Sequence, residues 1–166
     1  MLDYGCGTLR GGRHFINYLD KGKYTGIDIS ESVIKEAQKF VSNDELLNEK
    51  QPALLLNEDM DLKFEDIEGI QFDYILAQSV FTHLKSEHIE EIFQNLHKVM
   101  KEQSVFFFTM FVNNKAKGEV SRNYKDFEYP ASFIKELSKK YGYHVQEMDD
   151  YPHPAGQTMF KLTLIS

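Results

Sequence analysis

Short apolar runs alternate with stripes of apolar residues at helical spacing, and that alternation predicts an α/β protein. Residues 24–28, Tyr-Thr-Gly-Ile-Asp, read as a strand. From Ser30, a good N-cap, the positions Val33, Ile34, Ala37, Phe40 and Val41 recur at three and four, as one helix face requires. Residues 53–57 and 72–77 read as further strands. Residues 86–100 read as a helix with Ile89, Ile92, Phe93, Leu96 and Val99 inward, followed by a nearly all-apolar strand over 104–111. Pro130 and Gly142 bracket a helix over 131–141. Alternation over 143–148 and 158–165, the latter with Phe160, Leu162 and Leu164 on one side, predicts an antiparallel pair. The expected whole is a doubly wound, mostly parallel sheet of seven strands with a C-terminal antiparallel hairpin strand.

Composition narrows the class. The chain has 166 residues, enough for the single domain expected over 1–166. A net charge of −7, from 19 basic and 26 acidic residues, argues against nucleic acid and anionic membranes as partners. Cys6 is the sole cysteine, so no intrachain disulfide or multi-cysteine metal site can form, which points to a reducing, cytoplasmic setting. No apolar run reaches the 18 residues of a membrane span, and the glycines near the start leave no room for a signal-peptide core. Only Met1 to Tyr4 precede those glycines, short for a central strand, and this predicts a fragment of a longer protein.

The strongest chemical signal is the stretch LDYGCGTLRGG, residues 2–12, with four glycines in eight positions. Gly5 and Gly7 let backbone lie against a ligand, and Gly11 and Gly12 let a helix start close to the sheet. Asp28 ends the second strand, 21 residues after Gly7, where a carboxylate can accept both hydroxyls of a ribose. Strand, glycine turn, helix, strand and acid bind an adenosine-containing cofactor, either a dinucleotide or S-adenosylmethionine. The plainer reading of Asp28 is an acid favoured by a helix N-terminus. Arg10 stands where a dinucleotide turn wants a small residue, and no chain remains for a dehydrogenase's substrate domain.

Taken in order, LDYGCGTLRGG, YTGIDIS (24–30), NEDMDLKF (57–64) and FDYILAQSVFTHL (72–84) resemble the class I S-adenosylmethionine-dependent methyltransferases of small-molecule type. The resemblance covers residues 2 to about 111. It implies a Rossmann-like, three-layer α/β/α fold and S-adenosylmethionine as cofactor. It also implies that Asp3 helps hold the methionine amino group, that Gly5, Cys6 and Gly7 line methionine and ribose, and that Asp28 takes the ribose hydroxyls. Ile29 would then lie against adenine, Asp59 beside Met60 would meet the adenine edge, and Gln78 would border the methionine part. Two departures stand out: Leu9 replaces the commoner third glycine, and the helix that usually precedes the first strand is missing from the sequence.

Methyl transfer from a sulfonium mainly needs nucleophile and methyl held in line, with a general base where the nucleophile must lose a proton. The segments after strands four, five and six all leave the cofactor edge of such a sheet. They supply His83 and His153 as candidate bases, each with a plainer reading: a packing histidine before Ser86, and a stiff surface-loop histidine between Pro152 and Pro154. They also supply the polar, aromatic segment 113–129, a lid or a plain loop, with Arg122, Tyr124 and Tyr129 as possible contacts. Cys6 between glycines reads as a small residue beneath the cofactor. His83, His88 and His97 lie five and nine apart and form no helical metal set. The AQSVF sequence after strand four lacks both the Pro-Pro turn of base-amino methylases and the cysteine of C5 methylases. A small-molecule acceptor is expected, with a protein substrate left open; the alternative functions are an NAD-dependent oxidoreductase or a non-catalytic S-adenosylmethionine-binding module.

Overall fold

Three buried residues, Leu2–Tyr4, form β1, and the glycine turn follows at once. In the computed structural model, which describes residues 1–57, 60–148 and 150–165, the chain divides into two compact units, Met1–Asp61 and Leu62–Ser166.

In the first unit, α1 (Gly12–Tyr18), β2 (Thr25–Asp28), α2 (Glu31–Ser42), α3 (Glu45–Lys50) and β3 (Ala53–Leu56) follow β1. The strands are parallel in the order β3-β2-β1, with Asp3 opposite Gly26 and Ile27 opposite Leu55. Ser30 caps α2 by accepting the Val33 N–H at 3.4 Å, as the sequence predicts. The six-residue α3 was not predicted. It is too short for a periodic signal, and its nucleus is the Asp44 cap, which accepts the Leu47 N–H. The core gathers Cys6, Leu9, Ile16, Tyr24, Ile34, Ala37, Val41 and Leu47.

Two positions shape the glycine turn. Leu9 sits at φ 64°, the left-handed region that glycine enters freely, yet its side chain is fully buried. The conformation costs about 1–2 kcal/mol, and burying leucine contributes about 1.5–3 kcal/mol, so leucine is tolerated where glycine is commoner. Gly12 is needed for close approach. A Cβ there would overlap the Tyr24 hydroxyl and lie 2.9 Å from Leu9 Cδ2. Tyr24 is 2% exposed and cannot swing away. Gly12→Ala is therefore expected to destabilise by about 1–3 kcal/mol despite alanine's better helix propensity. A urea titration that leaves the midpoint unchanged would show that the Tyr24 ring has room to move.

In the second unit, β4 (Phe72–Ala77) pairs in parallel with β5 (Met100–Val112), and β5 pairs antiparallel with β9 (Thr158–Leu164), which pairs antiparallel with β8 (Tyr143–Met148). Since β5 and β8 both oppose β9, they run in the same direction. Between β4 and β5 lie a 3-10 turn at Phe81–His83, α4 (Ser86–Asn95) and another 3-10 turn at Leu96–Lys98. The helix α5 spans Ala131–Tyr141 as predicted, with Gly142 at φ 79° ending it.

Two expectations need correction. The helix predicted to run to Met100 ends at Asn95, because Leu96–Lys98 tighten into a 3-10 turn and Met100 already opens β5. Leu96 and Val99 remain fully buried, so apolar spacing could not mark the change. The segment 113–129 is not simply a loop. It holds β6 (Val120–Ser121) and β7 (Phe127–Tyr129), a hairpin whose second strand pairs in parallel with the end of β5. The seven expected strands are all present, and these two short ones join them.

The second core is aromatic. The Phe81 ring stacks on Phe108 with centroids 4.4 Å apart, Phe108 stacks on Phe160 at 5.3 Å, and Phe93 meets Phe108 edge-on at 6.1 Å. Phe81, Phe93, Phe108 and Phe160 are fully buried, and edge-to-face and offset pairs of this kind add to their burial. This cluster anchors Phe81, and thereby the 3-10 turn that carries His83.

Candidate active site

The first unit builds its site around Asp28. The Asp28 carboxylate is half-buried at the end of β2. One oxygen accepts the Gly7 N–H at 3.0 Å and the other accepts the Ser30 N–H at 3.0 Å. It thus ties the glycine turn to the cap of α2, and each oxygen keeps lone-pair capacity for a further donor. The helix-terminus reading of Asp28 and the ligand reading are compatible, since the bonds to Gly7 and Ser30 leave lone pairs on both oxygens. Gly7 has φ +56°, and open space surrounds the point where its Cβ would stand. Ile29, next in the chain, leaves an apolar side chain 60% exposed, as a platform for a flat ring would be.

Gly5 donates its N–H to the Ile27 carbonyl at 2.7 Å, and the Cys6 N–H reaches the same oxygen at 3.0 Å, which holds the turn against β2. Cys6 itself is buried beside Gly26, where any Cβ would lie 2.9 Å from its Sγ. Burial, aided by the charges of Asp3 and Asp28, pushes its thiol up to about 12. It fills the space beside Gly26. Beyond β3, Asn57 is 3% exposed and spans residues 57–61: its amide donates to the Asp61 carbonyl and the Tyr4 hydroxyl, and its carbonyl accepts the Asp61 N–H. Sequence reading missed this brace, though a polar residue ending an apolar strand was a signal for it. Met60 lies in the braced segment, half-buried, at φ 51°. Asp59 lies outside the described residues.

Asp3 is only 5% exposed, and the Tyr24 hydroxyl donates to its carboxylate at 2.6 Å. Burial raises its pKa from 3.8 to about 6; the tyrosine hydroxyl opposes the rise and the charge of Asp28 adds to it. A buried carboxylate so poorly compensated is suited to a cation.

In the second unit, Gln78 is exposed just past β4. His83 and His153 differ in the nitrogen they offer. His83 Nδ1 lies 2.9 Å from Asp126 Oδ1 and 3.2 Å from the Lys125 carbonyl, two acceptors that require Nδ1 to carry hydrogen. Its Nε2 then bears the lone pair, and no described residue bonds to it; the side chain is 52% exposed. Asp126 is supported in turn, with Asn123 Nδ2 donating to its other oxygen at 2.6 Å. His153 Nδ1 instead accepts the Ala155 N–H at 3.2 Å, which leaves Nε2 as a donor in the neutral ring. The two rings therefore differ: His83 leaves the Nε2 lone pair unbonded, whereas His153 uses its Nδ1 lone pair to order its own loop.

The hairpin is fastened to the turn before α4. The Ser86 N–H, at the uncapped start of α4, donates to Glu119 Oε2 at 2.7 Å. Burial works against the Glu119 carboxylate, but this N–H and the Tyr129 hydroxyl hold its pKa below the usual range. Tyr129 donates to the Leu84 carbonyl at 2.6 Å and is fully buried, which corrects its expected role as a substrate contact. Arg122 covers the Phe111 ring at 4.2 Å, while Tyr124 is 93% exposed. Among the described residues, no group of three or more His, Cys, Asp or Glu side chains is placed to hold a metal ion, and no helix is long and apolar enough to cross a membrane.

A family model described as "Methyltransferase domain" matches residues 2–106, more than half the chain. YqeM of Bacillus subtilis (strain 168), named as a candidate methyltransferase, is 33% identical over 113 residues, covering 65% of this chain and 40% of that protein. The uncharacterized protein RP028 of Rickettsia prowazekii (strain Madrid E) is 26% identical over 112 residues, 66% of this chain and 41% of its own. The chain thus spans about two fifths of the length of these relatives. A solved S-adenosylmethionine-dependent methyltransferase from Clostridium acetobutylicum ATCC 824 is 14% identical with a TM-score of 0.76, covering 99% of this chain and 83% of that one. Magnesium protoporphyrin IX methyltransferase from Synechocystis PCC 6803, solved with bound SAM, is 14% identical with a TM-score of 0.73, covering 99% and 69%. At such identities these structures show the fold, which is the Rossmann-like one expected.

Proposed function

The chain belongs to the methyltransferase-domain family, and on that premise we propose that it transfers a methyl group from S-adenosylmethionine to a small-molecule acceptor. The observation that carries the proposal is the Asp28 carboxylate, which braces the turn at Gly7 and α2 at Ser30 while keeping capacity for ribose hydroxyls. The residues present fit the donor. Gly5 and Gly7 offer close backbone, Gly7 faces open space, Ile29 offers an apolar surface for adenine, and the buried Asp3 suits the methionine ammonium. Met60 and Asp59 for the adenine edge, and Gln78 for the methionine part, rest on the family resemblance. A cytoplasmic setting belongs to the same proposal and rests on the single cysteine and acidic composition.

When bound, the donor supplies an electrophilic methyl on a sulfonium that is already a good leaving group. The chain's task is then placement, which can contribute up to roughly 7–11 kcal/mol. His83 Nε2 takes the proton from an oxygen or nitrogen nucleophile and releases it to solvent. Asp126 and the Lys125 carbonyl keep Nδ1 protonated and stabilise the imidazolium that forms.

Calorimetry with S-adenosylhomocysteine tests the donor site. Wild-type protein should bind it, and Asp28→Ala should lose about 1.5–3 kcal/mol, roughly a ten- to hundredfold weakening. Binding of NAD(H) with no response to S-adenosylhomocysteine would overturn the proposal.

A further inference from the structure

Ser79, two residues past β4, sits at φ 59° and gives its N–H to Thr109 Oγ1 at 2.8 Å. Gln157, one residue before β9, is 8% exposed. Its Oε1 accepts the Thr109 hydroxyl at 2.6 Å and the Ser79 hydroxyl at 3.1 Å. Thr109 Oγ1 receives the Ser79 N–H and gives its own hydrogen to Gln157 Oε1, as the Ser79 hydroxyl does, so the oxygen is the end of the amide that the cluster holds.

The other end has no such partners. Gln157 Nε2 makes no hydrogen bond with any described residue, and no buried side-chain nitrogen or oxygen among them lacks a partner. The amide nitrogen therefore reaches accessible space while the rest of the side chain is locked. Its place is the carboxyl edge of the strands: Thr158 opposes Met110, near the end of β5, and Ser79 follows the end of β4. An amide held by its oxygen, with its nitrogen unbonded and not fully buried, is a preorganised donor.

We infer that Gln157 is a specificity-determining residue that donates from Nε2 to a neutral carbonyl oxygen of the bound acceptor, a ketone, ester or amide. The class follows from the cluster's chemistry. Ser79, Thr109 and Gln157 are all uncharged, so a carboxylate losing its water there would gain no countercharge. A site built to meet a carbonyl also rejects analogues that lack it, because its donor is then left unpaired. The inference deepens the small-molecule acceptor reading and rests on it for its meaning in catalysis.

The test uses the whole chain labelled with 15N in its glutamine side chains, with Gln157→Met identifying the Gln157 signals. Benzamide is the carbonyl probe and benzylamine the matched control. The expected result is a saturable shift of the Gln157 N–H signals with benzamide and none with benzylamine. In Gln157→Glu, whose carboxylate can still accept both hydroxyls, the binding preference measured by equilibrium dialysis should swing at least tenfold towards benzylamine. Gln157 signals that ignore benzamide, or follow both probes alike, overturn the inference. Each titration is run with and without S-adenosylhomocysteine. S-adenosylhomocysteine binding without a benzamide response sinks the Gln157 inference alone, whereas a benzamide response without S-adenosylhomocysteine binding supports Gln157 and sinks the donor reading.

Discussion

Asp3→Asn is expected to make the free protein more stable by about 3 kcal/mol at pH 7 and, in the same sample, to weaken S-adenosylhomocysteine binding. Folding raises the pKa of this carboxyl from 3.8 to about 6, so the folded state holds the proton more tightly than the unfolded chain does. The resulting stability is fully present below about pH 4 and is lost as pH rises through 6. At about 1.4 kcal/mol per decade of proton affinity, the loss is nearly complete at pH 7. Asparagine carries no charge at any pH and can still accept the Tyr24 hydroxyl. The difference between variant and wild type should therefore vanish below pH 4, grow through pH 5 and 6, and level off near pH 7. For a chain of this length about 3 kcal/mol corresponds to roughly 6–12 °C in Tm. A difference that stays flat between pH 4 and 8 would show that Asp3 is not held as a strained carboxylate. The binding half is separate: a stabilised variant with undiminished affinity would leave the electrostatics standing and remove Asp3 from the ligand.

His83→Gln is expected to lower kcat by about 10²–10⁴-fold with little change in KM, the usual contribution of a general base. The measurement is transfer of a labelled methyl to whichever acceptor turns over. Glutamine keeps a donor for Asp126 and removes the basic lone pair. Asp126→Asn should cost less, because the Lys125 carbonyl still holds the Nδ1 hydrogen, and its loss should also fall on kcat. The plainer alternative is that His83 only pins the hairpin to the turn. In that case His83→Gln, which keeps the donor to Asp126, would hold its turnover within a few-fold of wild type.

Wherever one kind of periodicity ran long enough, the elements were legible from residue order. The helices from Ser30 and Ala131 and the strands at residues 72–77 and 143–148 stand as predicted, because helical spacing in the first two and short apolar or alternating runs in the others carry a clear period. The boundary at Asn95 was not legible, since an apolar stripe passes unbroken from helix through 3-10 turn into strand. Nor were β6 and β7, two and three residues long, which exist through pairing alone, β7 on the end of β5 and β6 on β7.

Chemistry divided in a similar way. The order of its motifs by itself determined the methyltransferase-like fold and the glycine turn with its acid, for these depend on residue type at short, regular spacing. Tertiary structure alone decided that Asp3 is a buried acid beneath Tyr24, that Nε2 is the basic nitrogen of His83, and that Gln157 has one end locked and one end open. Those properties arise from partners 21, 43 and 78 residues away in sequence. A pKa, a tautomer or a free donor belongs to a set of neighbours, and only folding assembles that set.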